Sequence, residues 1–138
     1  MVAALEWIEG FSDDVQRRDV PTVEELDRVL DELTARARQA GIPFNVSLTH
    51  VDATVMVIVL GADVAYVEWI RLQPWCCLGC GREASTSLHD DELLVFAGNG
   101  QYSELPRRMW IDVPRAREAV RHYYMMRELS PLVAWTVI

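Results

Sequence analysis

The sequence predicts an α+β fold, an antiparallel sheet of five or six strands with two main helices packed against it. Three observations carry that prediction. A helix-period segment opens after Pro21 with its own capping signal. Alternating, β-branched runs fill residues 46–72. The dipeptide Asn99-Gly100, flanked by Leu93–Ala97 and Gln101–Leu105, marks a two-residue hairpin turn, because both positions tolerate positive φ.

In chain order, Ala3–Ile8 reads as a strand or short helix, followed by a polar loop to residue 20. Thr22 and Glu25 form a capping-box pattern, Leu26, Leu30, Leu33 and Ala37 mark one helical face, and Gly41 stops the helix. Val46 with Leu48, then Val55, Val57 and Val59, then segment 64–72 predict three strands, with turns near Asp52 and Gly61-Ala62. Within 64–72, Tyr66, Glu68 and Ile70 share one face while Val67, Trp69 and Arg71 share the other. PWCCLGCG at 74–81 reads as a turn and GREASTSLHDDE at 81–92 as a polar loop. Leu93–Ala97 and Gln101–Leu105 form the arms of the hairpin. Pro114 sets the first turn of a second helix, with Ala116, Val120 and Tyr123 or Tyr124 on its buried side. LVAWTVI, 132–138, closes the chain as a strand. With no repeat, linker or low-complexity segment, residues 1–138 read as a single domain.

The composition, 51% hydrophobic and 25% charged, excludes a disordered chain. The longest apolar run, ATVMVIVLGA at 53–62, is half the length of a membrane span and rich in β-branched residues, so it reads as a strand. MVAALEWIEG carries Glu6 and Glu9 where a secretory leader needs a basic start and an uncharged apolar stretch. A cytoplasmic protein with reduced cysteines is the expectation. The net charge of −8 is unevenly spread. Residues 1–40 hold ten acids against five arginines, residues 41–106 eight acids against two, and residues 107–138 six arginines against three acids. A chain this acidic repels nucleic acid and steers a basic partner toward itself. Neither a nucleic-acid nor a membrane partner is expected.

Cys77 and Cys80, followed by Gly81, have the spacing of a zinc knuckle. Such a site needs four ligands, and only Cys76, His50, His89 and His122 remain, none of them as a pair. Gly79 stands where a Trp-Cys-x-x-Cys redox motif starting at Trp75 needs its second thiol, and no helix start lowers a thiol pKa here. His50-Val51-Asp52 with the Pro74–Cys80 stretch departs from the zinc-deaminase signature in its acid, its spacing and its place between strands. Phosphate-binding loops, nucleophile elbows and His-Glu-x-x-His helices are missing. No catalytic residue, metal or cofactor is therefore assigned, and the chain reads as a binding protein and not an enzyme. His89-Asp90-Asp91-Glu92 lacks the alternation of a calcium loop and reads as a solvated loop or a contact for a basic partner.

The last third adds a resemblance. Gly100-Gln101-Tyr102-Ser103-Glu104-Leu105-Pro106, then Val113-Pro114-Arg115-Ala116-Arg117-Glu118-Ala119-Val120, then Pro131-Leu132-Val133-Ala134-Trp135 resemble the closing pattern of a family of bacterial immunity proteins from polymorphic-toxin systems. Many members have a glycine before the final proline where this chain has Glu128-Leu129-Ser130. The resemblance implies an actinobacterial type of immunity protein, commonly paired with a nucleic-acid deaminase toxin whose active site it covers. Charge and position, not the family, select the binding face: Asp63, Glu68, Asp90, Asp91, Glu92 and Glu104, with Tyr66, Trp75 and Tyr102 as anchors. The basic tail predicts that the second helix faces away from the toxin. Two alternatives stay open, an immunity protein for a nuclease toxin and a small zinc-binding regulatory domain organised by Cys77 and Cys80.

Overall fold

The computed structural model describes residues 3–50, 53–80 and 92–138. β1 (Ala4–Ile8) and β2 (Val15–Asp19) form an antiparallel hairpin, so the polar stretch before residue 20 is a strand and not a loop. The sequence of β2, VQRRD, has no apolar alternation; pairing along all of β1 and the Arg17–Glu6 ion pair make it a strand. α1 (Val23–Ala40) starts where the Thr22 hydroxyl accepts the Glu25 N–H at 3.1 Å and stops at Gly41, whose φ of 76° a side chain would resist. Its buried stripe is Leu26, Val29, Leu30, Leu33 and Ala37.

β3 (Phe44–Thr49), β4 (Thr54–Leu60) and β5 (Val64–Leu72) make the expected antiparallel meander. The cysteine stretch is β6 (Trp75–Gly79) and not a turn. β4 pairs with one edge of β5, and the chain reverses at residues 73–74 so that β6 pairs with the other edge, from Leu72↔Trp75 to Glu68↔Gly79. β7 (Leu93–Gly98) and β8 (Gln101–Pro106) turn at Asn99 and Gly100, with φ of 51° and 80°. A 3₁₀ turn (Arg107–Met109) and β9 (Ile111–Asp112) lead into α2 (Val113–Met126), capped by the Asp112 carboxylate on the Arg115 N–H at 3.1 Å. α2 ends without glycine: Arg127 takes the left-handed φ of 53° and its N–H reaches Tyr123 O. The closing strand is only β10 (Thr136–Val137). The Trp135 indole, half-buried, instead donates to Ser130 O at 3.1 Å, which holds 130–135 in a turn.

The sheet runs β10-β6-β5-β4-β3-β1-β2, with the β7–β8 hairpin joined to β3 through one parallel pair, Phe44↔Ala97. The α+β class holds. Among the described residues the sheet has ten strands and not five or six, because short edge strands without a hydrophobic period are added by pairing alone. Among the described residues no helix is long and apolar enough to cross a membrane.

The register divides the sheet into two faces. Leu5, Trp7, Phe44, Val46, Leu48, Met56, Ile58, Leu60 and Val67 share one, which α1 and α2 cover to make the core. The Tyr123 hydroxyl meets the Thr54 hydroxyl at 2.5 Å and Tyr124 donates to Val20 O at 2.7 Å, fixing α2 on that face. Each buried leucine there contributes about 2 kcal/mol of transfer free energy. Asn45, Ser47, Val57, Val59, Tyr66, Glu68, Ile70, Cys77 and Gly79 share the other, helix-free face.

Candidate functional site

The helix-free face becomes a cleft because the β7–β8 hairpin folds over it. Ala97 N–H donates to Pro43 O at 2.8 Å. Asn45, buried in β3, gives its side-chain N–H to Asn99 Oδ1 at 3.0 Å and accepts the Asn99 backbone N–H at 2.8 Å. Trp110 is wedged beneath, its ring 5.8 Å from Phe96 and 6.3 Å from Tyr66, with its indole N–H on Leu105 O. Between sheet and hairpin lies a cavity of about 290 Å³, lined by Asn45, Val57, Val59, Tyr66 and Glu68 below and by Phe96, Gly98, Asn99, Ser103, Glu104 and Leu105 above.

Glu68 is held by its neighbours without being neutralised. The Tyr66 hydroxyl donates to its Oε1 at 3.0 Å. Burial, helped by the adjacent carboxylate, pushes that hydroxyl far above its usual range, so it remains a donor. Gly79, across the ladder, makes the contact possible, since a Cβ there would lie 2.5 Å from the tyrosine oxygen. Cys77 stands beside the same carboxylate; burial, then the Glu68 charge, pushes its thiol up to about 11. Tyr102 and Glu104 are paired in the same way at the rim, 3.1 Å apart, and that bond raises the Tyr102 hydroxyl. The β8 register puts these two on the outer side of the hairpin, beside the mouth.

The contrast with the helix side is electrostatic. There Asp27 and Asp31 meet Arg117, Asp27 also meets Arg121, Glu32 meets Arg18 and Arg36, and Glu9 meets Arg36, while on the helix-free face Glu6 meets Arg17 at the β1–β2 edge, away from the cavity lining. Glu68 and Glu104 take part in no ion pair among the described residues. The hydrogen bonds they accept come from neutral tyrosine hydroxyls, so no cation offsets them at the cleft mouth.

Of the residues expected from the sequence, Tyr66, Glu68 and Glu104 line this cleft and Tyr102 joins them through Glu104. Asp63 is exposed in the β4–β5 turn, and Glu92 is exposed just before β7; neither lines the cleft. Trp75 shares the face by register but stands at the far end of β6, 67% exposed. Asp90 and Asp91, like His89, lie outside the described residues. Sequence reasoning missed Asn45, Gly79 and Phe96. Asn45 carried a signal, a polar side chain inside an otherwise apolar strand that needs a partner when buried.

The thiols do not converge on an ion. Cys80 is buried, accepts the Val67 N–H at 3.3 Å and donates to Met109 O at 3.2 Å, while Cys77 stands beside Glu68. Burial pushes the Cys80 thiol up to about 11 as well, so both favour the protonated form and not the thiolate that binds zinc. Among the described residues no three His, Cys, Asp or Glu side chains are grouped to hold a metal.

Comparison with known proteins gives two findings. The family model described as Immunity protein Imm1 matches residues 15–137, nearly the whole chain. A WD repeat-containing protein of Drosophila melanogaster is 29% identical over 122 residues, which cover 78% of this chain and 17% of that protein. The chain thus spans less than a fifth of the length of that curated relative.

Proposed function

This chain belongs to the Imm1 family of immunity proteins, and from that membership we propose that it neutralises a cognate secreted toxin, a nucleic-acid cytosine deaminase, by laying the cleft face over the toxin's substrate groove. Family membership implies an inhibitor that binds a cognate toxin. The deaminase, the actinobacterial type, the occluding face and action in the cytoplasm are our reading.

The observation that carries the reading is that Glu68 and Glu104 meet at one cleft on the helix-free face with no ion pair among the described residues, whereas Asp27, Asp31 and Glu32 of α1 are matched to arginines. A deaminase that works on a nucleic acid must present a basic groove to phosphate and draw a single base into its pocket. Carboxylates on a firm sheet can occupy that groove in place of phosphates, which speeds association and blocks entry of substrate. Tyr102 and Trp75, exposed on the same side, supply the large amphipathic contacts that anchor interfaces. α2 packs on the opposite face, its Arg117 and Arg121 turned to the acids of α1, consistent with a helix away from the toxin.

The test is a titration of a purified deaminase toxin domain with this protein, following cytosine deamination on a DNA strand at low and high salt. Stoichiometric inhibition, with association slowed by salt, is expected. Full deaminase activity in the presence of excess protein overturns the deaminase reading, and inhibition of a nuclease domain run in parallel would reassign the toxin.

A further inference from the structure

We propose that the cleft is the seat for one arginine side chain presented by the toxin, held at Glu68 and flanked by the aromatic walls of Tyr66 and Phe96; the proposal rests on the cleft face being the toxin-binding face. The size fits a side chain better than a cofactor. At about 290 Å³ the cavity sits at the bottom of the range of roughly 300–1,000 Å³ that small-molecule sites occupy. Its walls divide as a long basic side chain requires. Val57, Val59 and Leu105 offer an apolar surface for the methylene stem, and Glu68 is the carboxylate that the sheet contributes to the lining.

Charge complementarity selects the occupant. Glu68 accepts the Tyr66 hydroxyl, a neutral donor, so the carboxylate is oriented without being matched to a cation among the described residues. A phosphate or carboxylate ligand would be repelled. Guanidinium is favoured over ammonium because it is flat, can stack on an aromatic ring while bonding a carboxylate, and loses less hydration on entry. Its remaining N–H groups have acceptors within the same lining, the Asn45 and Asn99 side-chain amides and the Ser103 hydroxyl. Glu104, with Tyr102 at the rim, draws the cation toward the mouth without reaching the seat. The chain's own arginines at the helix side, Arg117 and Arg121 among them, are committed to α1 and do not line the cavity.

Two arms test this, one of them independent of any toxin. N-acetyl-arginine methylamide titrated into ¹⁵N-labelled protein should give saturable shifts at Tyr66, Gly79 and Phe96 at millimolar concentration. Those shifts should be lost in Glu68→Gln and much weaker with N-acetyl-lysine methylamide. Absent shifts, or equal shifts in Glu68→Gln, overturn the proposal. In the second arm the deaminase domain inhibited by wild type is bound to Glu68→Gln, Glu104→Gln and Asp31→Asn, each checked for unchanged circular dichroism. Glu68→Gln should weaken binding about 30-fold or more, Glu104→Gln only a few-fold, and Asp31→Asn not at all. Wild-type affinity in Glu68→Gln removes the arginine seat and leaves the toxin-binding reading intact. A wild-type protein that binds arginine amide but inhibits no toxin keeps the seat as a cation site and removes the toxin as its source, which overturns the proposal as stated.

Discussion

The two faces of the sheet follow different rules. On the helix side, apolar side chains interlock and the surrounding acids are matched to arginines across elements, as Arg117 is to Asp27 and Asp31. On the cleft side, an asparagine pair ties a hairpin over a half-apolar floor, and carboxylates are braced by neutral donors that leave their charge uncompensated. The first arrangement maximises stability. The second gives up electrostatic stabilisation to keep charge available, and it lies on the face that no helix covers. On the proposed reading binding and folding fall to opposite sides of one sheet, and substitutions on the two sides should separate them.

The largest effect should come from the helix side. Leu33→Ala empties a fully buried site and should cost about 3 kcal/mol, lowering Tm by roughly 10 °C in a thermal melt, with toxin affinity of the folded fraction unchanged. Gly61→Ala comes next. It forces a side chain into φ 109° with its Cβ 2.5 Å from Ala37 Cβ and 3.3 Å from Pro43 Cα, and about 2 kcal/mol should be lost in denaturant titrations, again without a binding defect. Gly79→Ala is the matching change on the other side. Its Cβ meets the Tyr66 oxygen at 2.5 Å and otherwise only side-chain atoms of Tyr66 and Ile138 at 3.3 Å, so about 1 kcal/mol of stability should go while affinity falls at least tenfold as the Tyr66–Glu68 bond is displaced. Equal affinity losses for the Gly61 and Gly79 variants would break the division between the faces.

The smallest effect concerns pH. The folded state holds the Cys80 proton more tightly than the unfolded chain, at about 11 against an ordinary 9.0. Its contribution to stability is therefore complete below about pH 9 and is lost as pH rises toward 11. Cys80→Ser removes that titration, so its unfolding free energy should decline less steeply than wild type over the same window, although it starts lower. An unchanged slope would show that the thiol is not buried in this way.

Legibility in the sequence tracked local physics. α1 could be read because its cap, its stripe and its glycine stop are all written within one segment, and the Asn99-Gly100 turn because two residues suffice for it. β2 and β9 could not, since VQRRD and Ile111-Asp112 become strands only through the partners they meet, and the closing strand expected over 132–138 is cut to Thr136-Val137 by the extent of its pairing with β6. The cysteine stretch misled for the same reason: spacing suggested a knuckle or a turn, whereas the open edge of β5 pairs with it as a strand. At the site, period-two alternation put Tyr66 and Glu68 on one face correctly, and their joining to Glu104 depended on a hairpin docked by Asn45, a contact spanning 54 residues. Asp63, Trp75 and Glu92 were chosen by charge and type, and the fold disperses them around the cleft.

The central claim is that the helix-free face is the one that meets the toxin. Hydrogen–deuterium exchange of the protein alone and in complex with the inhibited toxin domain addresses it most directly. Protection should appear on the β7–β8 hairpin, 93–106, above all at the Tyr102 and Glu104 amides of its outer strand, with α1 and α2 unchanged. Protection confined to α2, 113–126, with free exchange across the hairpin, would contradict the account.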